Sequence, residues 1–83
     1  MNKPTTFKEA LALWDSHSAL SEEIGVIYVT AQAMRNRGTI SDEHWPKVIE
    51  AWKRRGVTLT NDDFLRMRRA RREMKRQQRE KAA

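Results

Sequence analysis

An all-α domain is predicted on three observations. Apolar residues recur at i, i+3, i+4 and i+7 in two separate stretches, Phe7, Ala10, Leu11, Trp14 and Trp45, Val48, Ile49, Trp52. Thr6 and Ser41 stand before these two stretches, and Gly25, Gly38 and Gly56 stand where three of the helices can end. With 83 residues the chain is one domain, and a domain of that size buries only about 60% of its unfolded surface, which leaves little room for a large substrate cleft.

Each element has its own local reason. Thr6 and Glu9 form a capping box, Thr accepting from a free N–H and Glu reaching back to the cap, so a helix is predicted over 6–15. The Asp15 to Ser18 cluster supplies a turn, and Ser16 or Ser18 caps a second helix over 17–24 with Leu20 and Ile24 inward. Gly25 turns the chain. A third helix over about 28–36 puts Ala31 and Met34 inward and Tyr28, Gln32, Arg35 and Asn36 outward, and Gly38 closes it. Ser41 caps a fourth over 42–55, in which Pro46 lies near enough to the start to cost little, and Lys53, Arg54 and Arg55 suit its negative end. Thr60 caps the last, from 61 to about 78, with Asp62 and Asp63 in its first turn and Phe64, Leu65 and Met67 reaching the core.

Charge divides the chain. Its 17 Lys and Arg against 11 Asp and Glu give a net +6. Residues 66–81 hold nine basic groups (Arg66, Arg68, Arg69, Arg71, Arg72, Lys75, Arg76, Arg79, Lys81) and two acidic ones, a net +7, and the rest of the chain is −1. A nearly neutral domain at 1–65 followed by an arginine-rich helix or tail at 66–83 points to a polyanionic partner: nucleic acid first, an acidic protein or anionic lipid behind it. Like-charge i, i+4 pairs such as Arg68 with Arg72 and Lys75 with Arg79 each cost about 0.2–0.5 kcal/mol, so the tail is expected to fray until a partner neutralises it.

No cysteine is present, which excludes disulfides and thiolate metal ligands. The longest apolar run, Val26 to Val29, is far short of the roughly 18 residues of a membrane span, and no signal-peptide apolar region follows Met1, so neither a membrane nor secretion is expected. His17 and His44 read as surface or capping residues, and Trp14, Trp45 and Trp52 as core anchors. Glu22 and Glu23, like Asp62 and Asp63, read as complements to helix dipoles. No nucleophile with a base and no metal set assembles, so neither an enzyme nor a cofactor is expected.

Two short helices joined by a tight Gly turn form a helix-turn-helix arrangement. Residues 17–36, HSALSEEIGVIYVTAQAMRN, resemble the helix-turn-helix of phage Cro and phage-repressor proteins, the pattern falling on Ser21, Ile24, Gly25, Val26, Ala31 and Met34. Residues 37–56, with Arg37-Gly38 and Trp45-Pro46, are similar to the segment that follows it in small prophage-type regulators. The resemblance covers roughly 6–65 and leaves the arginine-rich tail outside it.

The resemblance implies a sequence-specific regulator of double-stranded DNA, of the phage or prophage repressor kind, cytoplasmic and nucleoid-associated in a bacterium or phage-infected cell. Such regulators bind as homodimers on two half-sites. The second helix of the motif then enters the major groove, with Ile27, Tyr28, Val29, Gln32 and Ala33 as base-contact candidates. Gln32 carries the bidentate amide that suits adenine, and the apolar start at Ile27 suits either thymine methyls or packing. Phosphate contacts fall to Arg35, Asn36, Arg37, Thr39, Ser41 and Lys47, with Arg66, Arg69, Arg72 and Arg76 added by the tail. Other readings stay open: an RNA-binding or antitermination factor using the arginine-rich helix, and an adaptor for an acidic protein.

Overall fold

The computed structural model describes the backbone of residues 2–82 and the side chains of residues 2–78. Arg79, Glu80 and Lys81, counted in the basic run, lie outside the described side chains. Among the described residues there are five α-helices and no strand: α1 (Phe7–Leu11), α2 (His17–Ile24), α3 (Tyr28–Arg37), α4 (Trp45–Lys53) and α5 (Asn61–Ala82), with a 3-10 turn at Asp42–His44 before α4.

The predicted caps form, with one shift of register. Thr6 Oγ1 accepts from the Glu9 N–H at 3.0 Å, but the Glu9 carboxylate reaches back to the Thr5 N–H, one residue earlier than the cap. The helix is shorter than 6–15. After Leu11 the chain tightens, with the Ala12 N–H shared between Lys8 and Glu9 carbonyls and the Trp14 N–H on Leu11, so Trp14 reaches the core from a turn. Ser16, not Ser18, caps α2, accepting from the Ala19 N–H at 3.1 Å.

The fourth helix divides where the sequence reading has one helix over 42–55. Pro46 has no N–H to bond the Asp42 carbonyl, so the turn before it closes by the shorter pattern, with the His44 N–H on the Ser41 carbonyl at 3.0 Å. Ser41 therefore makes no side-chain cap. In α4 the inner face is Trp45, Val48, Ala51 and Trp52, while Ile49 is only partly covered.

Thr60 and Asp63 close a full capping box on α5. The Asp63 N–H donates to Thr60 Oγ1 at 3.3 Å and the Thr60 N–H to Asp63 Oδ2 at 2.9 Å. Asp63 is 8% exposed, and Lys3 Nζ at 2.8 Å and Arg66 at 3.1 Å balance its charge. Lys3 is the main cause holding the Asp63 carboxyl below its ordinary range. α5 runs through residue 65 without interruption, as expected; Met67 is buried, whereas Leu65, expected to reach the core, faces outward at 37% exposure.

One apolar core joins all five helices. Phe64 lies at its centre, stacked on Trp45 at 5.4 Å and on Phe7 at 6.1 Å between ring centroids, which ties α5 to α4 and α1. Every indole N–H has an acceptor: Trp45 donates to the Ile40 carbonyl at 3.0 Å, Trp52 to the Ala10 carbonyl at 3.1 Å, and Trp14 to Glu23 at 2.7 Å. No buried side-chain polar atom among the described residues lacks a partner. Trp52→Ala should therefore cost about 3–5 kcal/mol, through the cavity and the orphaned Ala10 carbonyl. Urea denaturation measures it, and a midpoint close to wild type would disprove this account of the core.

Candidate nucleic-acid interface

The turn between α2 and α3 is closed on one residue, Ser21. The Gly25 and Val26 N–H groups both donate to the Ser21 carbonyl, at 3.0 and 3.1 Å, and the Ser21 hydroxyl donates to the Val26 carbonyl. Gly25 sits at φ 71°, ψ 38°, the left-handed geometry that glycine takes without strain. Ile27 then returns to extended backbone, and α3 begins at Tyr28. Leu20 and Ile24 of α2 share the core with Ala31 and Met34 of α3, so three residues separate two helices packed on each other.

Burying Ala31 and Met34 fixes which side of α3 faces solvent. At about 100° per residue, Val29, Gln32, Ala33 and Asn36 form one stripe on the opposite side, and Val29, Gln32 and Asn36 are exposed. Four of the predicted contact residues are thereby brought together. Ile27 stands beside the head of the stripe, 72% exposed, and no side chain caps the helix there. Tyr28 lies at the edge, half exposed, its ring meeting His17 edge to face at 5.6 Å.

The predicted phosphate contacts do not form one group. Arg35 turns back toward α2, its Nη1 donating to His17 Nδ1 at 3.0 Å, and it lines a small cavity with Lys8, Leu11 and Ala12. Arg37 is exposed at the end of α3, Thr39 is partly covered, and Ser41 and Lys47 are exposed near the acidic pair Asp42 and Glu43. Arg66 is engaged by Asp63 on the side of the N-terminal segment. Arg69, Arg72 and Arg76 fall on one stripe of α5 by helical spacing.

Sequence reasoning missed two arginines that bring α5 against α3 and α4. Arg68 lies 4.6 Å over the Trp45 ring and 3.8 Å from Asp42, and Arg71 Nη2 donates at 3.2 Å to the carbonyl of Arg37, the last residue of α3. The basic helix thus leaves the core beside the C-terminal end of α3. No local pattern in the sequence marks them, because their partners Trp45, Asp42 and Arg37 lie 23 to 34 positions away.

Glu23 also departs from its sequence reading. It lies in the last turn of α2, where a carboxylate opposes the helix dipole, and its partners are tertiary: Trp14 Nε1 at 2.7 Å, Arg54 at 3.0 Å and Arg55 at 2.8 Å. Arg55 is the leading cause that lowers the Glu23 carboxyl from its ordinary 4.5 to about 2. Arg55 also donates to the Ala51 carbonyl at 2.8 Å, so it caps α4 while it holds α2.

No group of three potential metal-ligating side chains occurs among the described residues, and no helix among them is long and apolar enough to cross a membrane. No protein-family model, curated protein or solved structure matches the chain.

A pH dependence follows from the lowered Glu23. Its ionised form is favoured in the folded state, so its contribution is complete above 4.5 and is lost as pH falls from there toward about 2. Glu23→Gln should cost about 1–3 kcal/mol at neutral pH and flatten the stability profile between those limits. Thermal melts of both proteins at pH 2 to 7 test this, and parallel profiles would rule it out.

Proposed function

We propose that this chain is a sequence-specific double-stranded DNA-binding regulator of the phage or prophage repressor kind, reading the major groove with the outer face of α3. The observation that carries the reading is the outer stripe Val29, Gln32, Ala33 and Asn36, on a helix joined to α2 by the hydrogen-bonded turn at Ser21 and Gly25. A helix fits the major groove, and its N-terminal side chains meet base edges there. Gln32 supplies the bidentate amide for adenine, Ile27, Tyr28 and Val29 lie at the leading end, and Asn36 and Arg37 follow toward the backbone. Arg69, Arg72 and Arg76 add phosphate contacts that carry affinity rather than sequence. Binding as a homodimer to two half-sites, and a place in the cytoplasm at the nucleoid, belong to the same proposal.

A second reading, an RNA-binding or antitermination factor, is favoured by one observation: residues 72–78 of α5 are exposed throughout, a cationic helix that the core does not use.

The two readings separate by experiment. Gln32→Ala should cost about 1–3 kcal/mol on a selected duplex and almost nothing on a scrambled one. A chain ending at Arg71 keeps the Met67, Arg68 and Arg71 contacts and loses five cations and two carboxylates, a net +3. It should bind every duplex more weakly and flatten the slope of log K against log salt by a few units at about 0.9 per lost phosphate contact, with sequence ranking preserved. Anisotropy titrations at several salt concentrations read both. Loss of ranking on truncation, with Gln32→Ala silent, would move recognition to α5.

A further inference from the structure

Single exposed apolar side chains are ordinary on a protein surface, whereas a contiguous group calls for a physical reason. Ile27, Tyr28 and Val29 are consecutive, at 72%, 50% and 65% exposure, while the other large apolar side chains left exposed, Leu65 and Met74, stand apart on α5. The fold uses only one of the three. Tyr28 packs on His17, but Ile27 offers no cap to α3, and Val29 lies opposite the buried Ala31 and Met34.

We infer that Ile27 and Val29 are specificity-determining residues that contact the 5-methyl groups of thymine, beside an adenine held by Gln32, so that each half-site of the preferred duplex has adjacent A·T pairs. The inference rests on the duplex reading proposed above. Among the groups that base pairs present in the major groove, the thymine methyl is the apolar one, and an aliphatic side chain is its natural partner. The occupant is further constrained by charge. Arg37 is exposed at the far end of the same helix, and the cationic α5 leaves the core beside that end through the Arg71 contact to the Arg37 carbonyl, which suits a polyanion. A-form RNA fits less well, because side chains do not read its deep, narrow major groove. Val29 and Gln32 are three residues apart on one face, a rise of about 4.5 Å, comparable to the spacing of about 3.4 Å between neighbouring base pairs.

The test uses the full chain and a pool of random-sequence duplexes. The enriched duplex is resynthesised with each thymine replaced in turn by uracil, which removes one methyl and leaves the hydrogen-bonding edge intact. At one or two positions wild-type affinity should fall about threefold to fivefold, the equivalent of one buried methyl. Val29→Ala and Ile27→Ala should bind the thymine duplex more weakly by a similar factor, and each should lose the thymine-to-uracil difference at its own position. Both side chains are exposed, so unchanged melting temperatures serve as the folding control. An enriched site that tolerates uracil everywhere, or variants that keep the full uracil penalty, overturns this inference and leaves duplex reading standing. If no duplex is enriched, the duplex reading fails and the inference falls with it.

Discussion

One carboxylate holds three elements of the molecule together. Glu23 accepts from the indole of Trp14 in the turn after α1 and from the guanidinium groups of Arg54 and Arg55 at the end of α4. Through it α2 is fixed against two other elements, and through the Ser21 turn α3 inherits that position. Glu23 and Trp14 are the covered members of this network, so leaving either without its hydrogen bond costs more than losing the exposed Arg54.

The rest of the architecture answers the problem of size. A domain this small has few residues to bury, and it spends large ones: Phe7, Phe64 and Trp45 stack in series, with Arg68 covering the outer face of the last ring. The stems and charges of the basic run therefore begin inside the structural problem, at Arg68 and Arg71, before they become surface. Lys3 does the corresponding work at the other end, joining the N-terminal segment to the start of α5 through Asp63.

Much of the fold was legible because its signals are local. Caps at Thr6, Ser16 and Thr60, the Gly25 turn and the inward pairs of α2 and α3 all act within four or five residues, and the structure has them. The boundaries that moved have local causes of a subtler kind: Pro46 removes one hydrogen bond and divides the fourth element, and the chain tightens after Leu11 while Trp14 keeps its place. The roles of Glu23, Arg35, Arg68 and Arg71 were not legible, since each depends on a residue 9 to 34 positions away. The outer stripe of α3 followed from knowing which residues face inward. The grouping of the cations did not.

The contact from Arg71 to the last carbonyl of α3 changes what kind of object the basic segment is. A flexible tail attached to a globule searches a volume, and the strength of its second contact is set by linker length. A continuous helix clamped at its root behaves instead as a rigid spacer, about 1.5 Å per residue, whose charges stand at fixed offsets from α3. For any polyanion that meets both elements, the gain from joining them is then geometric: large when its charge spacing and curvature match those offsets, and small when they do not. Avidity in such a molecule is itself a form of shape selection.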